Sequence, residues 1–104
     1  MFIDNNRAAV DAIRANLKAL GAEGDVRTGS AERVGIVQPI DLAFLDPPYG
    51  SGLAAAAISN LPIVPGGWVS VETERGEMVA AEGYEIDVER AYGKARITLQ
   101  RRAA

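Results

Sequence analysis

Neither cysteine nor histidine occurs in the 104 residues, and each absence removes a class of chemistry. Without cysteine there is no thiolate nucleophile, and without histidine there is no imidazole general base. The two absences together exclude a Cys/His zinc site. No apolar run approaches the roughly 20 residues of a membrane span, and the amino terminus lacks a signal-peptide layout. A cytoplasmic location fits this pattern, although zero cysteine is weak support for any compartment. The length allows one domain at most, large enough to bury about two-thirds of its unfolded surface.

Acids outnumber cations, 14 to 11. The net charge of −3 is the wrong sign for binding nucleic acid through the whole surface. Its distribution says more than its sum. Glu74, Glu77, Glu82, Glu85, Asp87 and Glu89 make one stretch acidic, whereas Arg90, Lys94, Arg96, Arg101 and Arg102 follow with no acid among them. That basic tail suits either phosphate contacts or a strand edge guarded by cations.

What is present centres on residues 40–52, Ile-Asp-Leu-Ala-Phe-Leu-Asp-Pro-Pro-Tyr-Gly-Ser-Gly. The apolar start predicts a buried parallel strand covered on both faces by helices. Pro47 and Pro48 lack a backbone N–H and fix φ, so the strand ends at Asp46. Asp46 is thereby held extended at the carboxyl end of a strand, where ligands bind in open α/β sheets. The bland alternative is a rigid turn, with Asp46 solvated and Tyr49 capping the core.

Asp46-Pro47-Pro48-Tyr49 at the end of such a strand resembles the signature of S-adenosylmethionine-dependent methyltransferases that modify exocyclic amino groups of nucleobases. The wider stretch is most similar to the bacterial 16S rRNA (guanine-N2)-methyltransferase family. An exocyclic amine is a poor nucleophile because its lone pair is delocalised into the ring. In the roles this resemblance implies, the Asp46 carboxylate and the Pro47 carbonyl accept its two N–H bonds and turn the lone pair toward the methyl donor. Tyr49 stacks on the base, which must leave its own stack to arrive there. The implied partner is RNA, as rRNA in a ribosomal subunit or its precursor. Base methylation at a ring carbon through a cysteine is excluded by composition.

Around this centre the chain reads as strand–helix units. Met1-Phe2-Ile3 precedes three capping candidates, Asp4, Asn5 and Asn6. Val10, Ile13, Leu17 and Leu20 then recur at helical spacing until Gly21. The resemblance implies that Asp4 binds the cofactor ribose; the alternative is that it caps the helix. Val26-Arg27-Thr28 predicts a short strand, followed by a brief helix from Ser30 to Val34. By resemblance Ser30 touches the adenine, although a helix cap is the safer reading of it. Asp46 is also a cofactor-side candidate.

Ser51 is a candidate cap for a helix over 53–61, with Leu53, Ala57, Ile58 and Leu61 on one face. Residues 68–72 predict a strand, with Trp68 packing rather than stacking on a ligand. Tyr84, Ile86 and Val88 alternate with acids and predict a half-exposed strand, returning after a turn at 92–94 through residues 96–99.

The expected fold is therefore α/β and Rossmann-like, a mostly parallel sheet with a carboxyl-terminal antiparallel hairpin. The expectation is a single partial methyltransferase domain over residues 1–104, the carboxyl-terminal portion. In the family a first strand carries a glycine-rich loop that cradles the methionine end of the cofactor. No such loop occurs here, since Gly21-Ala22-Glu23-Gly24 follows a helix and Gly50-Ser51-Gly52 belongs to the Pro-Pro turn. Its absence predicts a gap between the strands ending at Asp4 and Asp46, to be closed directly or filled by an amino-terminal segment or another chain. Two rival functions stand beside the enzyme. One is a non-catalytic α/β domain binding RNA or a protein. The other, a receiver-type domain, is disfavoured because Asp46 has no companion acid pair for magnesium.

Overall fold

The computed structural model describes residues 1–30, 33, 35–47, 50, 52–77 and 79–104. The elements run β1 (Phe2–Asp4), α1 (Arg7–Leu20), β2 (Val26–Thr28), β3 (Ile40–Leu45), α2 (Leu53–Asn60), β4 (Ile63–Glu74), β5 (Tyr84–Tyr92) and β6 (Ala95–Arg102). They fall into two compact units, residues 1–34 and 35–104. Parallel pairs and a carboxyl-terminal antiparallel hairpin are both present, as the strand–helix alternation predicted. The predicted helix from Ser30 to Val34 and the Ser51 cap fall largely outside the described residues.

In the first unit β1 and β2 pair in parallel, with Asp4 opposite Thr28. The N-cap of α1 is Asn6, whose side chain accepts the N–H groups of Ala8 and Ala9. Gly21 ends the helix in the left-handed region at φ 66°, and Ala22 N–H returns to Leu17 O at 2.9 Å. This closure satisfies carbonyls that a helix end would otherwise leave open. The apolar stripe is shorter than its spacing suggested. Val10 is buried and Ile13 and Leu17 half-buried, but Leu20 is 80% exposed.

The second unit is a four-stranded sheet in the order β3-β4-β6-β5. β3 pairs with β4 in parallel, and β6 runs antiparallel to both β4 and β5. Side chains alternate across a strand, so Ala43, Leu45, Val69 and Val71 share one face. Ala54 and Ile58 of α2 join Ile63, Val69, Val71 and Val79 in one buried cluster on that face. Burying each Val or Ile contributes about 1.5–3 kcal/mol. Ala54, rather than the predicted Leu53, carries the packing face of α2; Leu53 is 36% exposed.

Three further expectations change. β4 begins at Ile63 rather than at Trp68, because Ile63 pairs with Ile40 before a register shift takes the ladder to Leu42–Trp68. Pro65 lies within this irregularity, where its missing N–H is tolerated. β5 does not keep a two-residue period, since Ile86 pairs with Gln100 but Val88 with Leu99. The shift at Asp87 sends Ile86 and Val88 to opposite faces. Finally, β3 is not covered on both faces: Leu42 is 51% and Phe44 77% exposed. Among the described residues β3 pairs only with β4, and β1 only with β2.

Candidate functional site

Asp46 follows the last residue of β3, Leu45, which lies opposite Val71 of the neighbouring parallel strand. Both strands run toward this end, so Asp46 stands at the carboxyl side of the parallel pair, where the sequence placed it. It is exposed, and among the described residues its carboxylate has no hydrogen-bond or ion-pair partner. Pro47 is half-buried beside it. Pro48 and Tyr49 lie outside the described residues, so the stacking half of the expected site has no geometry here.

What surrounds this end of the sheet comes from further along the chain. β4 continues past Val71 through Glu72, Thr73 and Glu74, which pair with Ile97, Arg96 and Ala95. Those residues in turn pair with Arg90, Ala91 and Tyr92 of β5. Arg96 forms an ion pair with Glu89. The backbone N–H of Arg75 donates to Lys94 O at 2.8 Å, and its Nη1 donates to Gly93 O at 3.3 Å. These contacts fasten the β5–β6 turn to the end of β4. No local pattern signals them, because Arg75 and Gly93 are 18 residues apart.

In the first unit, Asp4 and Ser30 belong to neighbouring strand ends. Asp4 closes β1, its carbonyl accepts the N–H of Gly29 at 3.0 Å, and Ser30 follows directly. Asp4 Oδ1 accepts the N–H of Asn6 at 2.8 Å, which braces the turn into α1 without capping the helix. Among the described residues its second oxygen accepts no hydrogen bond. Ser30 is half-buried, and its carbonyl accepts Arg33 N–H at 3.0 Å. A carboxylate and a hydroxyl at adjacent parallel strand tips suit a ribose diol beside a nucleobase. The adenosine end of the expected cofactor thus fits the residues present. For its methionine end, no glycine-rich loop follows a strand in the sequence.

Tyr84 opens β5 opposite Arg102, at the end of the sheet away from Asp46. Its phenol is pushed up by burial against the core, partly countered by the Arg102 guanidinium. Trp68 is half-buried with the Arg101 guanidinium 5.2 Å above its ring, a packing role as expected. Among the described residues no helix is long and apolar enough to cross a membrane.

No curated protein matches the sequence. Solved structures do. A protein of Haemophilus influenzae, provisionally classed as a methylase, matches with a TM-score of 0.83 and 25% identity, over 99% of this chain and 71% of its own. One of Escherichia coli, provisionally classed as a methyltransferase, gives a TM-score of 0.81 at 24% identity, over 98% and 61%. A conserved hypothetical protein of Streptococcus pyogenes gives 0.76 at 21% identity, over 96% and 69%. The chain therefore spans between about three-fifths and seven-tenths of these neighbours, whose shared fold is the one described above. The family model described as Conserved hypothetical protein 95 matches residues 1–101, and the chain belongs to that family.

Proposed function

We propose that this chain takes part in methyl transfer from S-adenosylmethionine to an exocyclic amine of an RNA base, with guanine N2 of 16S rRNA as the specific target. The observation that carries the reading is the exposed carboxylate of Asp46, without a partner among the described residues, at the carboxyl end of β3. The family membership and the methylase-type neighbours agree with it. When bound, the cofactor supplies an electrophilic methyl group on sulfur. Asp4 holds the ribose hydroxyls and Ser30 the adenine. Asp46 and the Pro47 carbonyl accept the two N–H bonds of the amine and hold its lone pair out of conjugation with the ring. As nitrogen takes the methyl group, the methyl–sulfur bond would break with its electron pair left on sulfur as a thioether, and one of those protons, now acidic, would leave along the hydrogen bond to the Asp46 carboxylate. In the role the motif implies, Tyr49 would stack on the base. RNA in the small ribosomal subunit or its precursor is the partner, and the setting is cytoplasmic.

The test is transfer of tritiated methyl from saturating cofactor to 16S rRNA and to small-subunit particles, followed by nucleoside analysis. N2-methylguanosine that falls about 10²–10⁴-fold with Asp46→Ala is expected. Undiminished label in that variant removes Asp46 from its role, and label on adenine or cytosine replaces the guanine assignment.

A second reading rests on a different observation. The exposed Leu42 and Phe44 on a strand paired along one edge suit a scaffold that docks another polypeptide. Stable association with a protein partner, together with no methyl transfer at any cofactor concentration, would favour it.

A further inference from the structure

The cations of the carboxyl-terminal stretch divide by what they already hold. Arg96 is engaged by Glu89, Arg101 lies over Trp68, and Arg102 donates to the Ile63 carbonyl. Arg90 and Lys94 are exposed, and neither has an acidic partner among the described residues. They flank Tyr92, which is 56% exposed. All three belong to the β5–β6 turn region that Arg75 fastens beside the end of β4.

We propose that this turn is a docking surface for an RNA strand, with Arg90 and Lys94 meeting phosphates and Tyr92 stacking on a base near the one offered to Asp46. The inference rests on the reading of the chain as acting on RNA. The ladder places the turn. Arg90 pairs with Ile97 and Ile97 with Glu72, one residue past the level of Leu45, so Arg90 is level with the end of β3. Arg90 and Tyr92 are two residues apart on one strand and share a face. Three strand spacings separate β3 from β5, about 14 Å, which a bound segment of about four or more nucleotides covers. Glu72 and Glu74 stand on β4 between the two positions. A segment reaching from Asp46 to the hairpin therefore crosses β4 with its bases, not its phosphates, against those acids. A few local cations also reconcile RNA binding with the overall net charge of −3.

The test is fluorescence anisotropy with a labelled single-stranded RNA of about 12 nucleotides containing unpaired guanines, measured over a range of salt. Wild type is compared with the Arg90→Ala, Lys94→Ala double variant, with Tyr92→Ala, and with Arg101→Gln at the far end of the sheet. Losing two phosphate contacts should flatten the logarithmic salt slope by about 1.4. Tyr92→Ala should weaken binding about tenfold, and Arg101→Gln should leave both quantities unchanged. An unaltered slope in the double variant, with wild type still bound, overturns the hairpin and leaves the methyl-transfer reading standing. Equal loss in Arg101→Gln overturns the inference as well. No binding of wild type at any salt overturns the inference and the RNA reading together.

Discussion

The carboxylate of Asp4 and the backbone of Asn6 are joined by a 2.8 Å hydrogen bond, while the Asn6 side chain caps α1. Two adjacent tasks, bracing a turn and closing a helix, are thus divided between two residues.

That division predicts separable effects. Asn6→Ala removes the acceptor for Ala8 and Ala9 and should cost about 0.5–2 kcal/mol in urea unfolding. Asp4→Asn keeps an oxygen for the Asn6 N–H and should change stability by less than about 0.5 kcal/mol. A larger loss from Asp4→Asn than from Asn6→Ala would show that Asp4 is the structural member of the pair.

Cofactor binding by this chain should be weak. Asp4 and Ser30 address the adenosine end, but no glycine-rich loop in the sequence addresses the methionine end. Calorimetry should therefore show a dissociation constant well above the low micromolar range, with adenosine competing nearly as well as the whole cofactor. Tight binding, with adenosine a poor competitor, would mean that other residues cradle the methionine.

Among the described residues β3 has a strand partner on one edge only, which has its own consequence. Phe44 is 77% exposed on a strand with no lysine along its length. Apolar edges of this kind template pairing between molecules. Light scattering at rising concentration should show self-association that Phe44→Lys suppresses, with unfolding free energy changed by no more than about 0.5 kcal/mol. Equal scattering from both proteins would place the sticky surface elsewhere.

Much of the architecture is written locally, and the exceptions have physical causes. Asn6 and Gly21 bracket α1 because capping chemistry resides in single residues. The end of β3 is fixed by Pro47, whose ring admits no ladder bond. Exposure of Leu42 and Phe44 was not legible, since an apolar strand has the same composition whether one face or both are covered. Nor was the shift at Asp87, where alternation in the sequence continues through a change of register. The candidate site followed the same rule. Asp46 was legible as a strand terminus, whereas the turn fastened by Arg75 depends on contacts distant in sequence.

Close packing at Gly67 gives a sharper prediction. A Cβ there would lie 2.8 Å from Ile63 Cγ2, 2.9 Å from Val64 O and 3.2 Å from Asp41 O. Two of those atoms are backbone, so the bulge that starts β4 has no room to yield. Gly67→Ala should cost about 1–3 kcal/mol and disturb the pairing of β3 with β4. At Gly24 the nearest atoms belong to the Phe2 ring and the Leu17 side chain, which can shift. Gly24→Ala should therefore cost less, and the reverse order in urea titrations would contradict the packing.

Tyr84 links the hairpin to alkaline stability. It packs against the core beside Arg102, and its folded pKa is raised because burial disfavours the phenolate more than Arg102 favours it. A raised folded pKa means that the neutral phenol is the form folding prefers. Its contribution is complete below the ordinary tyrosine range near 10 and is lost as pH climbs through the raised value. Unfolding free energy should fall above that range in wild type, and Tyr84→Phe should flatten the fall while leaving neutral-pH stability nearly unchanged. The same alkaline slope in Tyr84→Phe would assign the titration to another group, whereas a steeper fall in Arg102→Gln than in wild type would show that the guanidinium opposes the burial effect.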